Sequence, residues 1–239
     1  MKNYINIDQQ DYGKKIFRIL SIDRLIEMFE KKKNVLVKPD LWDDPFENFI
    51  LNIPVKDKTG KGSKSILRKR GYGQCWTLNV ESDAMWRIYS PDKNGVKIQT
   101  TIRKLFRSLC SAQKSYASIS CYIGKVKYYP KKDIEKLISD RIAGRKQFNG
   151  SIGQARSLLF KRLAFKHENE IRLIFLDPHN KSNSNVYLYP CEPLAVIDRI
   201  TFDPRMNQRL YKIFKKYLKG IGFQGTLVQS NLYRPPKFT

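Results

Sequence analysis

The stretch that most limits how this chain can fold runs from Phe165 to Leu176: Phe-Lys-His-Glu-Asn-Glu-Ile-Arg-Leu-Ile-Phe-Leu. Its second half has the two-residue period of a buried strand, with Ile171, Leu173 and Phe175 alternating with Arg172, Ile174 and Leu176. Burial alone does not account for the first half. In an extended chain Glu168, Glu170 and Arg172 fall on one face, about 6–7 Å between alternate positions. Two carboxylates and a guanidinium then run straight into an apolar strand. Two readings follow. Either Arg172 pairs with Glu170 at the rim while Glu168 stays in solvent, a contact worth about 0–1 kcal/mol, or a functional carboxylate is held by a neighbouring arginine at the mouth of a cleft.

The rest of the chain must provide a body for that strand. With 239 residues, 41% hydrophobic and 12% aromatic, it can bury a sizeable core and is not a disordered segment. No apolar run approaches the length of a membrane helix, and Met1–Asp11 carries no signal-peptide core. A cytoplasmic location without a membrane partner is the expectation. Cys75, Cys110, Cys121 and Cys191 are scattered, with no CxxC pair and only His167 and His179 to accompany them. That spacing argues against structural zinc and against a disulfide framework. The charge excludes less and suggests more. Against 46 Lys+Arg stand 22 Asp+Glu, a formal +24, which favours polyanion partners, nucleic acid first.

Along the chain, Lys15–Leu20 reads as a strand and Ser21 as the cap of a helix to about Lys32, with Ile22, Leu25, Ile26 and Phe29 as its apolar stripe. Asn34–Lys38 is a second strand, and Leu41–Asn48 a turn dense in acids and aromatics, with Pro45 holding Asp44 out of helical angles. Residues 56–70 read as a flexible basic loop in which Lys61, Lys64, Arg68, Lys69 and Arg70 are candidate nucleic-acid contacts. Its glycine spacing is wrong for a phosphate-cradling loop. Strands follow at Tyr72–Leu78 and Gly95–Thr100, around a short helix Ala84–Tyr89. A helix Ile102–Leu109 precedes a long strand Ser118–Tyr129 broken at Gly124. Helices are expected over Lys132–Ala143 and about Ile152–Phe165, strands over Val186–Tyr189 and Ile197–Phe202. A basic helix from Pro204 to Lys219 turns Leu210, Ile213, Phe214, Tyr217 and Leu218 inward, and Gly225–Gln229 is a last strand. The alternation is too irregular for a doubly wound sheet, and no glycine fingerprint follows the first strand. The expected fold is α+β: one domain over residues 1–239, core 15–233, on a mixed, mostly antiparallel sheet.

Four segments together resemble a bacterial family known as domain of unknown function 2971. They are Phe17-Arg18 before a helix, the turn Leu41-Trp42-Asp43-Asp44-Pro45-Phe46-Glu47, Met85-Trp86-Arg87-Ile88-Tyr89 before Gly95-Val96, and His167-Glu168-Asn169-Glu170-Ile171-Arg172-Leu173. The closing pattern from Ile197-Asp198-Arg199-Ile200 to Ser230-Asn231-Leu232-Tyr233 also fits, and Ser90-Pro91-Asp92-Lys93 departs from it. That family implies no activity. The layout is also similar to that of ADP-ribosyltransferases: an arginine-bearing strand, a helix, a short strand and, much later, a Glu-x-Glu pair opening a strand. This second resemblance implies an ADP-ribosyltransferase-like fold and NAD as substrate, with no metal. It makes Arg18 the group that holds NAD phosphate or ribose, Glu170 the catalytic acid, and Glu168 its neighbour near the acceptor. That class's serine has no clear counterpart, Thr77 and Ser82 being the candidates.

The chemistry suits those residue types. Cleaving the bond to nicotinamide builds positive charge on the ribose carbon, which a fixed carboxylate stabilises. Glu170 would do this and Glu168 would take the acceptor's proton. Arg18 offers a bidentate fork for a pyrophosphate, Arg172 is a further candidate NAD-binding residue, and Trp42, Trp86 or Tyr89 offers a ring to stack on a base. Plainer readings stand beside each: Arg18 as a solvent-facing strand residue, Trp86 and Tyr89 as a core pair at helical spacing, His167 as a solvent histidine rather than one orienting Glu168. On this view the chain is an NAD-cleaving transferase that modifies a nucleic acid or a nucleic-acid-associated target, a toxin or phage-defence effector with an antitoxin or other protein partner still to be identified. Two alternatives remain open: a non-catalytic nucleic-acid-binding protein whose Glu168/Glu170/Arg172 set is structural, and a metal-dependent nuclease using Asp43, Asp44 and Glu170. The nuclease lacks the Glu-x-Lys partner that such sites carry.

Overall fold

The computed structural model describes residues 2–42, 44, 55–56, 62–63, 70–142, 148, 150–179 and 184–235. The first strands are β1 (Tyr4–Ile5), β2 (Lys15–Ser21) and β3 (Lys33–Val37), with α1 (Ile22–Lys31) between β2 and β3. Two short strands, β4 (Val55–Lys56) and β5 (Gly62–Ser63), pair antiparallel, β4 at the start of the segment expected to be a loop and β5 inside it. Next come β6 (Gly71–Thr77), α2 (Asp83–Tyr89), β7 (Gly95–Thr101), α3 (Ile102–Gln113) and α4 (Ala117–Ser120). The middle of the chain supplies β8 (Cys121–Lys125), β9 (Lys127–Tyr129), α5 (Lys131–Ile142), α6 (Gly150–Ser157), β10 (Phe160–Arg162) and β11 (Glu170–Leu176). The last part holds β12 (Val186–Pro190), α7 (Pro193–Val196), β13 (Arg199–Phe202), α8 (Gln208–Gly220) and β14 (Thr226–Gln229).

The main sheet runs β1-β8-β11-β6-β2-β7-β13-β14, with β3 pairing both β6 and β12. The β1–β8 and β13–β14 pairs are parallel and the other pairs of this sheet antiparallel. The fold is α+β on a mixed, mostly antiparallel sheet, as its strand and turn pattern predicts. β11 lies inside it, between β6 and β8, which is why all seven of its residues are buried.

Alternation along β11 divides the molecule. Ile171, Leu173 and Phe175 enter the larger core with Ile16, Leu25, Ile98, Leu105, Ile200 and Leu218, beneath α1, α3 and α8. Ile174 and Leu176 enter a smaller core with Tyr122, Val126, Leu158 and Leu159, beside α6. Glu170 and Arg172 share the parity of Ile174, so their side chains leave the sheet on the smaller-core side.

The strip between β6 and its neighbours is where the sheet opens. β2 pairs with β6 only at Phe17↔Thr77, whereas β3 pairs with β6 at Val37↔Gly73. β6 therefore exchanges one partner for the other within four residues, leaving a fork between β2 and β3. On the β3 side of the fork, side chains tie β6, β3 and β12 together: the Gln74 amide donates to Asn34 Oδ1 (2.8 Å), and the Asn34 amide to the Tyr189 hydroxyl (2.8 Å).

Three local expectations are corrected. The strand predicted from Ser118 starts at Cys121, because residues 114–120 wind as a 3-10 turn and α4, and its break falls at Val126 rather than Gly124. The helix predicted to Phe165 ends at Ser157; Phe160–Arg162 is a strand parallel to β9, and Leu163–Glu168 is a 3-10 turn. α8 starts at Gln208 with Asn207 as its cap, and Leu210 and Ile213 lie 43% and 51% exposed instead of inward.

Candidate active site

Glu168 and Glu170 are not successive residues of one extended strand. Glu168 ends the 3-10 turn, and Asn169 follows at φ 47°, the left-handed region that asparagine tolerates better than most side chains. That turn brings both carboxylates to a single amine, that of Lys161 on β10. Lys161 Nζ donates to Glu168 Oε2 and, at 2.6 Å, to Glu170 Oε1. The parallel pairing of β10 with β9 sets Lys161 beside Tyr128, whose hydroxyl accepts the Glu170 backbone N–H at 2.8 Å.

Arg172 closes the other side. Its Nε donates to Glu170 Oε2 (2.6 Å) and its Nη1 to the Leu158 carbonyl (2.8 Å). Its guanidinium also lies over the Trp42 ring, 4.3 Å from the centroid. With Arg172 1% and Glu170 5% exposed, the pair is buried beneath the surface, contrary to the rim contact considered from spacing. Arg172 and Trp42 hold each other and Glu170 in place, and neither the guanidinium nor the carboxylate opens to solvent.

The environment drives the two acids apart. Burial, then the adjacent Glu170 carboxylate, pushes Glu168 up to about 8. Burial also opposes ionisation of Glu170, but the Arg172 charge, the Glu168 hydrogen bond and Lys161 outweigh it and hold Glu170 well below the usual carboxylate range. Near neutrality the pair thus holds one proton on Glu168 and one fixed charge on Glu170.

Tyr89, at the end of α2 and 42% exposed, lies within electrostatic reach of this pair. Burial, then the charges of Glu168 and Glu170, raises its phenol, and Cys75 is also within electrostatic reach. Cys75 is likewise near Arg18. Arg18 is half-buried, and burial pulls its guanidinium down to about 10. Its charged neighbour is Arg24 of α1, which repels it. Among the described residues no carboxylate or hydrogen-bond acceptor satisfies the Arg18 guanidinium.

Arg18 and Glu170 do not start from one face. Phe17, Thr77 and Glu170 stand in register on the smaller-core side, whereas Arg18 shares the parity of Ile16, which packs in the larger core. Among the described residues, Cys75 is within electrostatic reach of both Arg18 and Tyr89.

Other candidates are placed as follows. Trp86 is fully buried with its indole N–H donated to Glu81 (2.9 Å), so its ring belongs to the core and is not a stacking platform. His167 turns Nδ1 to the Ala164 carbonyl (3.2 Å), not to Glu168. Arg70 is half-buried and donates to the Asp177 carbonyl; Lys61, Lys64, Arg68 and Lys69 lie outside the described residues. Asp44 pairs with Arg162 at 2.7 Å, while Asp43 and Glu47 lie outside. Ser82 caps α2 by accepting from Met85 N–H (3.2 Å), and the Thr77 hydroxyl donates to the Glu168 carbonyl (2.6 Å), so Thr77 fixes the turn beneath the acids. Among the described residues no three His, Cys, Asp or Glu side chains gather as metal ligands would. Sequence reasoning missed Lys161, Tyr128, Cys75 and Arg24; only the apolar pair Leu158-Leu159 hints that the helix stops before Lys161.

No curated protein matches the sequence. Solved structures of DarT from Thermus sp. 2.9 are similar to it across 91% of the chain. The complex with ADP-ribosylated ssDNA aligns at TM-score 0.41 and 12% identity over 93% of that chain, and the NAD+ complex at 0.39 and 13% over 94%. The complex with carba-NAD+ aligns at 0.38 and 12% over 95%. The model of the family described as protein of unknown function DUF2971 matches residues 85–173, the span from α2 with Tyr89 to the Glu168–Glu170–Arg172 cluster.

Proposed function

We propose that this chain is an ADP-ribosyltransferase-like enzyme that cleaves NAD and transfers ADP-ribose to a nucleic acid or a nucleic-acid-associated target, as a toxin or phage-defence effector. The observation that carries this reading is the split carboxylate pair: one acid kept ionised and its neighbour kept near neutral pKa, on the far side of the fork from an unsatisfied guanidinium. Pairs of acids driven apart in this way divide the work of charge stabilisation and proton transfer.

Each residue then has a task. Glu170, held ionised and immobile by Lys161 and Arg172, supplies the fixed negative charge that an oxocarbenium-like ribose requires. Reaching it requires Lys161 to swing aside, since both Glu170 oxygens are paired. Glu168, with its pKa pushed up to about 8, exchanges a proton with the acceptor near neutral pH. Arg18, with Arg24 beside it, provides a guanidinium that no acid among the described residues matches, the electrostatics a pyrophosphate seeks. Tyr89 supplies an exposed ring at the rim. No metal takes part in this scheme.

The test is incubation with NAD labelled on its adenylate, together with single-stranded DNA, duplex DNA and RNA. Label is expected on one of these polymers with the wild-type chain and on none with Glu170→Gln. A folded Glu170→Gln protein that still transfers label removes Glu170 from the role. One observation favours a second reading, a non-catalytic nucleic-acid-binding protein: Glu170 is already closed by two cations, as a purely structural cluster would be. That reading is the outcome if the wild-type chain binds the polymers and leaves NAD intact.

A further inference from the structure

α8 is a thirteen-residue helix, Gln-Arg-Leu-Tyr-Lys-Ile-Phe-Lys-Lys-Tyr-Leu-Lys-Gly, with five cations and no acid. Arg209, Lys212, Lys216 and Lys219 recur at spacings of three and four, which sets them on one face. All four are exposed, and among the described residues no carboxylate pairs with any of them. At about 1.5 Å of rise per residue the row is about 15 Å long. The opposite side of the helix is spent on the larger core: Leu218 is fully buried, the Tyr211 ring meets Phe202 edge-on at 5.1 Å, and the Tyr217 hydroxyl bonds Glu30 of α1 at 3.2 Å.

Cations on two other helices have partners. In α1, Lys31 pairs with Glu27 at 2.5 Å. α3 also lacks acids, but Lys104 reaches Asp198 and Arg103 lies over the Tyr12 ring. The unmatched row on α8 is thus a local concentration of charge within a chain of formal net charge +24.

We infer that this face of α8 is a docking surface for the phosphate backbone of a nucleic acid, remote from the chemistry. α8 covers the larger core, whereas Glu170 and Arg172 leave the sheet on the other side. The surface holds the polymer while the fork engages it elsewhere, which rests on the reading above that the target is nucleic acid. A bilayer suits the face less well. Insertion needs an apolar stripe, and that of α8 is already inside the protein, leaving only Leu210 and Ile213 partly exposed on one shoulder.

The test uses the full chain without NAD, so its outcome is independent of turnover. Binding of fluorescent single-stranded DNA, duplex DNA and RNA is measured from 50 to 300 mM salt. The wild type is compared with a variant carrying Arg209→Ala, Lys212→Ala, Lys216→Ala and Lys219→Ala. Each lost phosphate contact flattens the dependence of log K on log salt by about 0.7 for a single strand and about 0.9 for a duplex. The variant is therefore expected to be shallower by about 3 and to bind at least 10-fold more weakly at low salt. A control removing exposed Lys33, Lys131, Lys132 and Lys136 equalises net charge and is expected to change the slope by less than 1. Equal slopes for the α8 variant and the wild type overturn the proposal. So does an equal change in the control, or a loss confined to phosphatidylserine vesicles with DNA and RNA binding intact.

Discussion

Two arginines, separated in the sheet by β6, meet burial in opposite ways. Arg172 has an answer for its guanidinium: the Glu170 carboxylate, the Leu158 carbonyl and the face of Trp42. Arg18 loses water at the fork and finds only the repulsion of Arg24 and the nearby thiol and phenol of Cys75 and Tyr189. Taking a charge out of water is costly unless a partner offsets the cost. Among the described residues that account closes for Arg172 and stays open for Arg18. A saturated cation is part of the scaffold; on the function proposed above, the unsaturated one is open to an anion from outside the chain.

The largest effect should come from the saturated side. Arg172→Ala removes one partner of a buried pair and leaves Glu170 with Lys161 alone, a change that costs about 3–5 kcal/mol. Urea unfolding at neutral pH measures it. A loss below about 1 kcal/mol would mean that Glu170 never depended on Arg172 and would dissolve the contrast between the two arginines.

The second effect tests the acids that Arg172 and Lys161 hold. Glu168 has an ordinary value of 4.5 and is pushed up to about 8 in the fold, so between those limits the folded chain keeps a proton that the unfolded chain has released. Stability must then fall as pH rises from about 4.5 to 8, by no more than about 1.4 kcal/mol per pH unit for one proton. Glu170 acts the other way: its lowered pKa contributes stability that is fully present above 4.5 and lost as pH falls below it. Glu168→Gln should flatten the decline between pH 5 and 8 in urea titrations. Parallel profiles for wild type and variant would show that Glu168 is ionised throughout and would withdraw its proton-transfer role.

The same contrast explains what the sequence could and could not reveal. The near-continuous apolar run Ile171–Leu176 located β11 to within a residue because both of its faces are buried, and Arg18 and Glu170 stood out because charged residues beside apolar strands are rare enough to question. The partner of the acids did not stand out. Lys161 lies in a three-residue strand whose register partner on the parallel strand β9, Tyr128, is 33 residues earlier, and no local period announces such a pairing. Trp86 and Tyr89, three apart on a short helix, looked interchangeable; only tertiary packing puts one in the core and the other at the rim. Nor does a sequence reveal that β6 changes partners between Thr77 and Gly73, and that exchange is what makes the fork.

The smallest effect on stability should come from the unsaturated arginine, where its size is itself informative. Arg18→Met keeps an aliphatic stem and removes a desolvated charge that no acid among the described residues offsets. Stability should therefore change by less than about 1 kcal/mol, in either direction, far from the loss expected at Arg172. NAD binding by calorimetry should weaken at least 10-fold, about 1.4 kcal/mol, because the variant gives up a charge-assisted fork to phosphate. The two readouts separate the cases. A large loss of stability would mean that Arg18 is a structural cation after all, and unchanged affinity in a stable variant would place the anion site away from the fork.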